Sequence, residues 1–445
     1  MRALFGTDGI RGKADGFPLD DATMFALGAV LARRLAVSHS EPLVLLGMDT
    51  RESGPRIATA LAAGLSSGGG RSRSIGIVPT PAVAYLCRVT GAAAGISISA
   101  SHNPYDDNGV KIFGSDGMKL SDALEKKIED ELLAAREETT RIAAEPPLRE
   151  SPELIERYEE FLVSSVASGG LSGRTVVLDT GYGAASRIAP EVFRRTGASV
   201  TVINDQPNGR NINLDSGALH PGGLAERVIE TRADLGIAFD GDADRAIFVD
   251  DRGRIRNGDE ILYLWARREQ RLGRLPNHLV VATIMSNFGF EKKLGESGIR
   301  LLRAAVGDKY VLEMMVENGA TLGGEQSGHI IDLTVHTTGD GLHTGLVISE
   351  LLAGESSPFS GIETFDPMPQ ILLNERVSAQ PPLDTLVDFQ QALLRAESRL
   401  ADRGRIVVRY SGTENLVRVM VEGESQEEIS AVGAELVAAL RAQIG

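Results

Sequence analysis

Apolar residues along this chain alternate between two rhythms. Short runs rich in Val, Ile and Leu, over 43–47, 75–78, 175–178, 200–203, 236–239, 247–249 and 279–283, read as buried strands. Between them lie stretches with helical spacing. Met24, Leu27, Val30, Leu31 and Leu35 form one apolar face behind Asp20 and Asp21, which are placed to cap it. A second helix is expected through 58–65 and stopped by Gly68-Gly69-Gly70, and a charged amphipathic one over 124–136. Ser151 and Pro152 open another, with Ile155, Tyr158, Phe161 and Leu162 on its core face. Strands alternating with helices predict α/β architecture, in which ligands bind beyond strand ends. From about 366 the order changes. Strands over 372–377, 406–410 and 417–422, with helices over 383–400 and 427–441, predict a two-layer α+β unit.

One stretch, 95–113, carries more than pattern. Ile96 and Ile98 alternate with Ser97 and Ser99, as in a half-buried strand, and a return strand is expected over 110–113. Between them Ala100-Ser101-His102-Asn103-Pro104, followed by Asp106, Asp107, Asn108 and Gly109, reads as a turn-rich loop outside any sheet interior. Pro104 stiffens it and biases Asn103 away from helix. The loop presents the Ser101 hydroxyl at a strand end, with His102 beside it and Lys111 on the return. A serine hydroxyl needs a base or a metal to react. A plain β-turn with a capping serine fits the same residues.

At 445 residues the chain predicts about two to four domains. Its net charge of −15 argues against nucleic acid or an anionic membrane as partner, but not against an anionic substrate met by local basic clusters. A single cysteine, Cys87 in the apolar run 82–87, excludes an internal disulfide and fits a reducing cytoplasm. No run reaches membrane-spanning length, and the N-terminal stretch has no apolar signal core. Glu145-Pro146-Pro147 reads as a linker. The expected domains are 1–148, 149–254, 255–365 and 366–445.

Three further motifs carry chemistry. Asp240, Asp242 and Asp244 stand at alternate positions just past the strand over 236–239. Three close carboxylates repel unless a cation sits among them, and an all-oxygen set selects a hard ion such as Mg²⁺ or Ca²⁺. An EF-hand would need Gly and Glu where Arg245 and Asp251 stand, which rules it out. A solvated acidic turn remains the plain alternative. Gly323-Gly324-Glu325-Gln326-Ser327-Gly328-His329 sets an acceptor, a hydroxyl and an imidazole between glycines, and suits sugar hydroxyls; alone it is also what a turn between strands looks like. Arg409-Tyr410-Ser411-Gly412-Thr413-Glu414-Asn415, with Arg418 nearby, suits a phosphate dianion.

Taken together, SASHNPYDDNGVK, the D-G-D-A-D-R loop, G-E-Q-S-G-H and R-Y-S-G-T-E-N resemble the α-D-phosphohexomutase superfamily over essentially the whole chain. Phe5-Gly6-Thr7-Asp8-Gly9-Ile10-Arg11-Gly12, Asn211-Ile212-Asn213 and Met285-Ser286-Asn287 add smaller matches. The resemblance implies four domains around a central cleft: three similar α/β units with mixed sheets and a smaller C-terminal α+β domain. It implies a phosphoserine at Ser101 and one Mg²⁺ on Asp240, Asp242, Asp244 and that phosphoserine. Arg11, His102, Lys111 and His329 are then the catalytic candidates. Arg245, Lys309, Glu325, Ser327, Arg409, Ser411, Gly412, Thr413 and Arg418 are the candidate substrate-binding residues.

The Gln326 form of the sugar loop resembles the branch that acts on glucosamine phosphates. That implies interconversion of the 6- and 1-phosphates through glucosamine 1,6-bisphosphate, feeding cell-wall precursor synthesis in the cytoplasm. Glucose or mannose phosphate as substrate is the alternative. A silent sugar-phosphate binder or a serine-plus-metal phosphatase are rivals from other classes. The partner is then a small sugar phosphate, with neither nucleic acid nor membrane, and a homodimer is compatible with it. The fourth domain is expected to close when substrate binds. Lys309 stands where the family has Arg, Tyr410 and Asn415 where it has prolines, and His343 where it has an apolar residue.

Overall fold

The computed structural model describes residues 4–6, 8–138, 148, 150–411 and 415–445. The linker at Glu145-Pro146-Pro147 therefore lies outside the described residues, as does Thr7. The chain forms two compact units: Met1–Thr283 with Leu302–Glu363, and Ile284–Leu301 with Thr364–Gly445.

The larger unit holds three mixed sheets. In the first, Leu43–Met48 lies between Arg71–Ile77 and Ala94–Ile98 and is parallel to both. Asp107–Gly114 then runs antiparallel to Ala94–Ile98, and Gly9–Lys13 antiparallel to Asp107–Gly114. Phe5–Gly6 closes the edge. In the second, Thr175–Asp179 is parallel to Ser199–Ile203 and Leu235–Phe239, and Ala246–Asp250 returns antiparallel. In the third, Leu279–Thr283 is parallel to Leu322–Gly324, which makes a hairpin with Ile330–Asp332. In each, an apolar strand ends at a loop rich in polar residues, which is where ligands meet such sheets.

Helices follow the apolar spacing. Asp20 caps Asp21–Leu35, its carboxylate accepting from the Thr23 amide at 3.0 Å. Gly54–Ser67 packs against that helix, and Pro152–Ser164 begins where Ser151 and Pro152 place it. Among the described residues, no helix is long and apolar enough to cross a membrane.

Three expectations need correction. The strand Ala94–Ile98 is buried along its whole length, not half-buried, and Ser97 and Ser99 are each 1% exposed. The helix Thr80–Thr90, hidden in the run containing Cys87, covers it. A side chain at Gly95 would strike Cys87 Sγ at 2.4 Å, so only glycine permits that approach. Second, Asp107, Asn108 and Gly109 are not loop but the start of the return strand. They pair with Lys13, Gly12 and Arg11, a strand whose glycines disguise it. Third, the helix expected over 383–400 is interrupted: a 3₁₀ turn at Leu383–Thr385 precedes the α-helix Val387–Leu400.

The smaller unit is a three-stranded antiparallel sheet, Leu416–Gly423 between Gln370–Arg376 and Gly404–Tyr410. The helices Val387–Leu400 and Gln426–Ile444 pack on it, burying Phe389, Val419, Val421, Ile429 and Leu436. The segment Ile284–Leu301 belongs to this unit. Arg405 donates to the carbonyls of Ile284 at 2.7 Å and Ser286 at 2.6 Å, and Asn287 donates to Glu422 at 3.2 Å.

Candidate active site

Ser101 stands three residues beyond Ala94–Ile98 with φ 51°, a left-handed conformation that side chains other than those of Gly, Asn and Asp seldom adopt. Its amide donates to Ser99 Oγ at 2.9 Å, and Ser99 in turn donates to Asp49 at 2.6 Å. The Ser101 Oγ donates to Asp240 Oδ2 at 2.6 Å. A hydroxyl has one proton, so the His102 Nδ1 at 3.3 Å faces an oxygen whose hydrogen is already committed. Burial, with the Arg245 and Arg11 guanidiniums beside it, pushes the His102 imidazole down to about 4, so it is neutral at pH 7.

Asp240, Asp242 and Asp244 are all buried, with ligand oxygens within 4.8 Å of one another. The neighbours engage both oxygens of Asp240 but only one each of Asp242 and Asp244. Asp242 Oδ2 accepts from Thr80 Oγ1 at 2.7 Å and from Lys111 Nζ at 3.0 Å. Asp244 Oδ2 accepts from Lys111 at 3.2 Å, and Asp240 Oδ1 from the Arg245 amide at 3.2 Å. Asp242 Oδ1 and Asp244 Oδ1 are buried with no hydrogen-bond donor. Burial and the two neighbouring carboxylates push Asp240 well above the carboxylate range. A cluster of anions with orphaned oxygens beside a hydroxyl fits a hard divalent cation.

A chain of alternating charges borders this cluster. Lys111 is 1% exposed and reaches Asp242, Asp244 and, at 3.3 Å, Asp8. Burial alone would lower its basicity; the Asp242, Asp8 and Asp244 carboxylates more than reverse that and hold the ammonium well above the usual lysine range. Asp8 also pairs with Arg11, and with Lys119 at 2.6 Å. Lys119 reaches Asp308 at 2.7 Å. His329 lies between Asp244 and Asp308, 3.6 Å from each. Burial opposes its protonation, but Asp244, Asp308 and Glu325 shift it upward on balance. The Gly339 amide donates to His329 Nε2 at 3.0 Å, and any side chain at Gly339 would overlap the imidazole.

Glu325 and Ser327 sit in the hairpin loop that His329 closes. Glu325 accepts from the Gly307 amide at 3.2 Å and from Ser327 Oγ at 3.3 Å, and its own amide donates to the His329 carbonyl at 2.9 Å. Lys309, in place of the family arginine, bonds Asp122 and the Leu120 carbonyl at 3.4 Å, across to the start of the helix Asp122–Glu138. Its partners are protein groups, which one ammonium satisfies without a guanidinium fork.

In the smaller unit, Arg409 and Arg418 are directly opposed on antiparallel strands. Burial and the Arg418 charge lower the basicity of Arg409. Two guanidiniums side by side suit a phosphate dianion. Ser411 is buried at the strand end; Gly412 and Thr413 lie outside the described residues. Tyr410, at a family proline position, anchors the same strand by donating to the Pro381 carbonyl at 2.7 Å.

Within the larger unit, then, Ser101, His102, Lys111, Asp240, Asp242, Asp244 and His329 are contiguous through the contacts above. Sequence reasoning missed Asp8, Thr80, Lys119, Asp308 and Asn213 as members of this network. Asp8, Asn213 and Asp308 lay inside matched motifs, Asp308 beside Lys309 in Val306-Gly307-Asp308-Lys309-Tyr310, and Thr80 and Lys119 gave no local signal. His343 has a structural account. Its ring faces Ser165 Oγ at 3.0 Å and Asp332 at 3.4 Å and stacks on Phe161 at 5.9 Å, so it fills a polar pocket that an apolar residue would leave unsatisfied.

The chain matches the four domain models of the phosphoglucomutase/phosphomannomutase family: alpha/beta/alpha domain I over residues 2–139, domain II over 155–253, domain III over 257–365 and the C-terminal domain over 372–439. It is 48% identical to a phosphoglucosamine mutase of Koribacter versatilis, covering 100% of this chain and 98% of that one. It is 45% identical to another of Solibacter usitatus, covering 99% of each. Among solved structures it is similar to a phosphoglucomutase/phosphomannomutase family protein from Burkholderia thailandensis, with TM-score 0.81 at 23% identity, covering 99% of this chain and 98% of that one. It is also similar to Aspergillus fumigatus N-acetylphosphoglucosamine mutase in complex with GlcNAc-6P and magnesium, with TM-score 0.67 at 18% identity, covering 99% and 95%. A serine hydroxyl bonded to a buried carboxylate triad, on three mixed sheets with a small C-terminal sheet domain, is thus met by full-length likeness: the chain belongs to the phosphoglucomutase/phosphomannomutase family of isomerases and, within it, to the phosphoglucosamine mutases.

Proposed function

We propose that this enzyme interconverts glucosamine 6-phosphate and glucosamine 1-phosphate, with Ser101 as the phosphoryl carrier and glucosamine 1,6-bisphosphate as the intermediate. The observation that carries the reading is the Ser101 hydroxyl at 2.6 Å from Asp240, beside two carboxylate oxygens with no donor. In the forward direction the free 1-hydroxyl of the sugar attacks the phosphorus on Ser101. The new O–P bond forms as the Oγ–P bond breaks. The hydroxyl proton passes to a base, for which His329 is the candidate; Lys111, held as its ammonium, is the candidate acid for the Ser101 oxygen. Reorientation of the bisphosphate then returns its 6-phosphoryl group to Ser101.

Arg11, Arg245 and His102 surround the phosphoryl group, and Glu325 and Ser327 serve the sugar hydroxyls. Lys309 positions the entry to that loop. Arg409, Ser411, Gly412, Thr413 and Arg418 take the phosphate that is not reacting. Mg²⁺ is the ion the donor set favours, held by Asp240, Asp242, Asp244 and the phosphoserine; when bound it offsets charge during transfer. A cytoplasmic setting agrees with the single, buried cysteine and a phosphorylated small-molecule substrate.

The test compares kcat/KM for glucosamine 6-phosphate with glucose and mannose phosphates, using enzyme already phosphorylated. The amino sugar should win by at least about tenfold, about 1.4 kcal/mol of differential transition-state binding. A preference for glucose or mannose 1-phosphate overturns the substrate assignment.

A further inference from the structure

Ser101 is held in its left-handed conformation from outside its own loop. Arg51 follows the strand Leu43–Met48, and its side chain is fully buried. A guanidinium has five N–H bonds in one plane. Here Nε donates to Asp49 Oδ2 at 2.9 Å, and Nη2 donates to the carbonyls of Ser101 at 3.0 Å and Asn103 at 2.8 Å. Nη1 donates to the carbonyls of Asp107 at 2.9 Å and Pro104. Four of the five acceptors are thus backbone carbonyls of the serine loop and the strand that leaves it. The loop after the strand Ser199–Ile203 supplies another brace. Asn213 Nδ2 donates to the Ser101 carbonyl at 2.9 Å and the Asn103 carbonyl at 3.1 Å, while its own amide is fixed on Gly181 at 2.8 Å.

We infer that Arg51 and Asn213 are positioning residues for phosphoryl transfer: they fix the Ser101 peptide at positive φ and so keep Oγ on the carboxylate triad. Without them the loop can relax toward negative φ, which turns Oγ away from Asp240. Neither side chain bonds the reacting hydroxyl, so the loss falls on turnover and not on sugar-phosphate affinity. Displacements of about 1 Å at a reacting atom cost on the order of a hundredfold in rate.

The inference rests on Ser101 as the carrier, and the experiment separates the two. Arg51→Lys keeps the charge but offers three donors without the planar fork; Asn213→Ala removes two hydrogen bonds and buries no charge. Each variant is compared with the unaltered enzyme for kcat, KM, and the single-turnover rate at which glucose 1,6-bisphosphate phosphorylates Ser101, followed by intact mass. The folded fraction is measured by circular dichroism and thermal unfolding. Expected are a fall of at least about tenfold in kcat and in the loading rate per folded enzyme, with KM within about threefold. Turnover within twofold of the unaltered enzyme, or a loss carried by KM, overturns the inference. If Arg51→Lys does not fold, Asn213→Ala decides alone. If Ser101→Ala retains turnover the carrier reading fails; if it is inactive while both variants turn over normally, only the positioning inference fails.

Discussion

Ser101 Oγ and Asp240 Oδ2 lie 2.6 Å apart although 139 positions separate them in the chain. Ser101 stands three residues past a strand of the first sheet, and Asp240 directly follows a strand of the second. Asp240 can accept the Ser101 proton or share a cation with an oxygen on Ser101. Ser101→Ala should therefore abolish turnover and leave sugar-phosphate binding within a few-fold. Binding is measured by calorimetry, with the variant prepared free of native enzyme. Near-normal turnover in that preparation would remove Ser101 as carrier.

Asp242 gives one oxygen to Thr80 and Lys111 and leaves the other without a donor. Asp242→Asn removes one of three clustered charges while keeping the shape. Chelation should stop the unaltered enzyme, and Mg²⁺ should restore it. The variant should require at least about tenfold more Mg²⁺ or lose activity, since each lost unit of charge weakens a hard-ion site. Undiminished activity in excess chelator would refute the metal assignment.

Arg409 faces Arg418 on the neighbouring strand, so two guanidiniums can share one phosphate dianion. Arg409→Ala should raise KM for the monophosphate about ten- to a hundredfold, from loss of a charge-assisted contact of about 1.5–3 kcal/mol. Because the same group holds the intermediate, kcat should fall too. Initial-rate kinetics decide it, and an unchanged KM would place the phosphate elsewhere.

His336 is 1% exposed and lies 3.7 Å from Asp340. Burial, then the His343 and Arg88 charges, pushes its imidazole from 6.5 down to about 3, with Asp332 opposing. Between those values the unfolded chain binds a proton that the folded chain does not. Stability should therefore fall as pH drops below 6.5 and be unaffected by this group above it, with a slope of about 1.4 kcal/mol per pH unit. Urea midpoints at pH 7.5, 6.0 and 5.0 should show the loss, and His336→Asn should remove about one proton of slope. Equal slopes in both proteins would contradict the prediction.

Local chemistry is legible in a linear text, so the sequence by itself determined the alternating α/β order, the Asp20 cap, the helix start at Ser151 and Pro152, and the C-terminal sheet with its helices. It also set Ser101 and the Asp240-Asp242-Asp244 group at strand ends, because turn residues follow apolar runs there. It misjudged the strand Ala94–Ile98, because burial of its second face depends on a helix from elsewhere in the chain, Thr80–Thr90, and on the missing side chain at Gly95. Only the tertiary structure decided how charges are shared. Lys111 becomes a locked cation because Asp8 and the Asp242–Asp244 loop converge on it from two distant places in the chain. Arg51 looks like any residue after a strand until folding brings three carbonyls of the serine loop and one of its return strand to the guanidinium. Hydrogen bonds and ion pairs between remote residues depend on distances of a few ångströms, and those distances exist only once the sheets have packed.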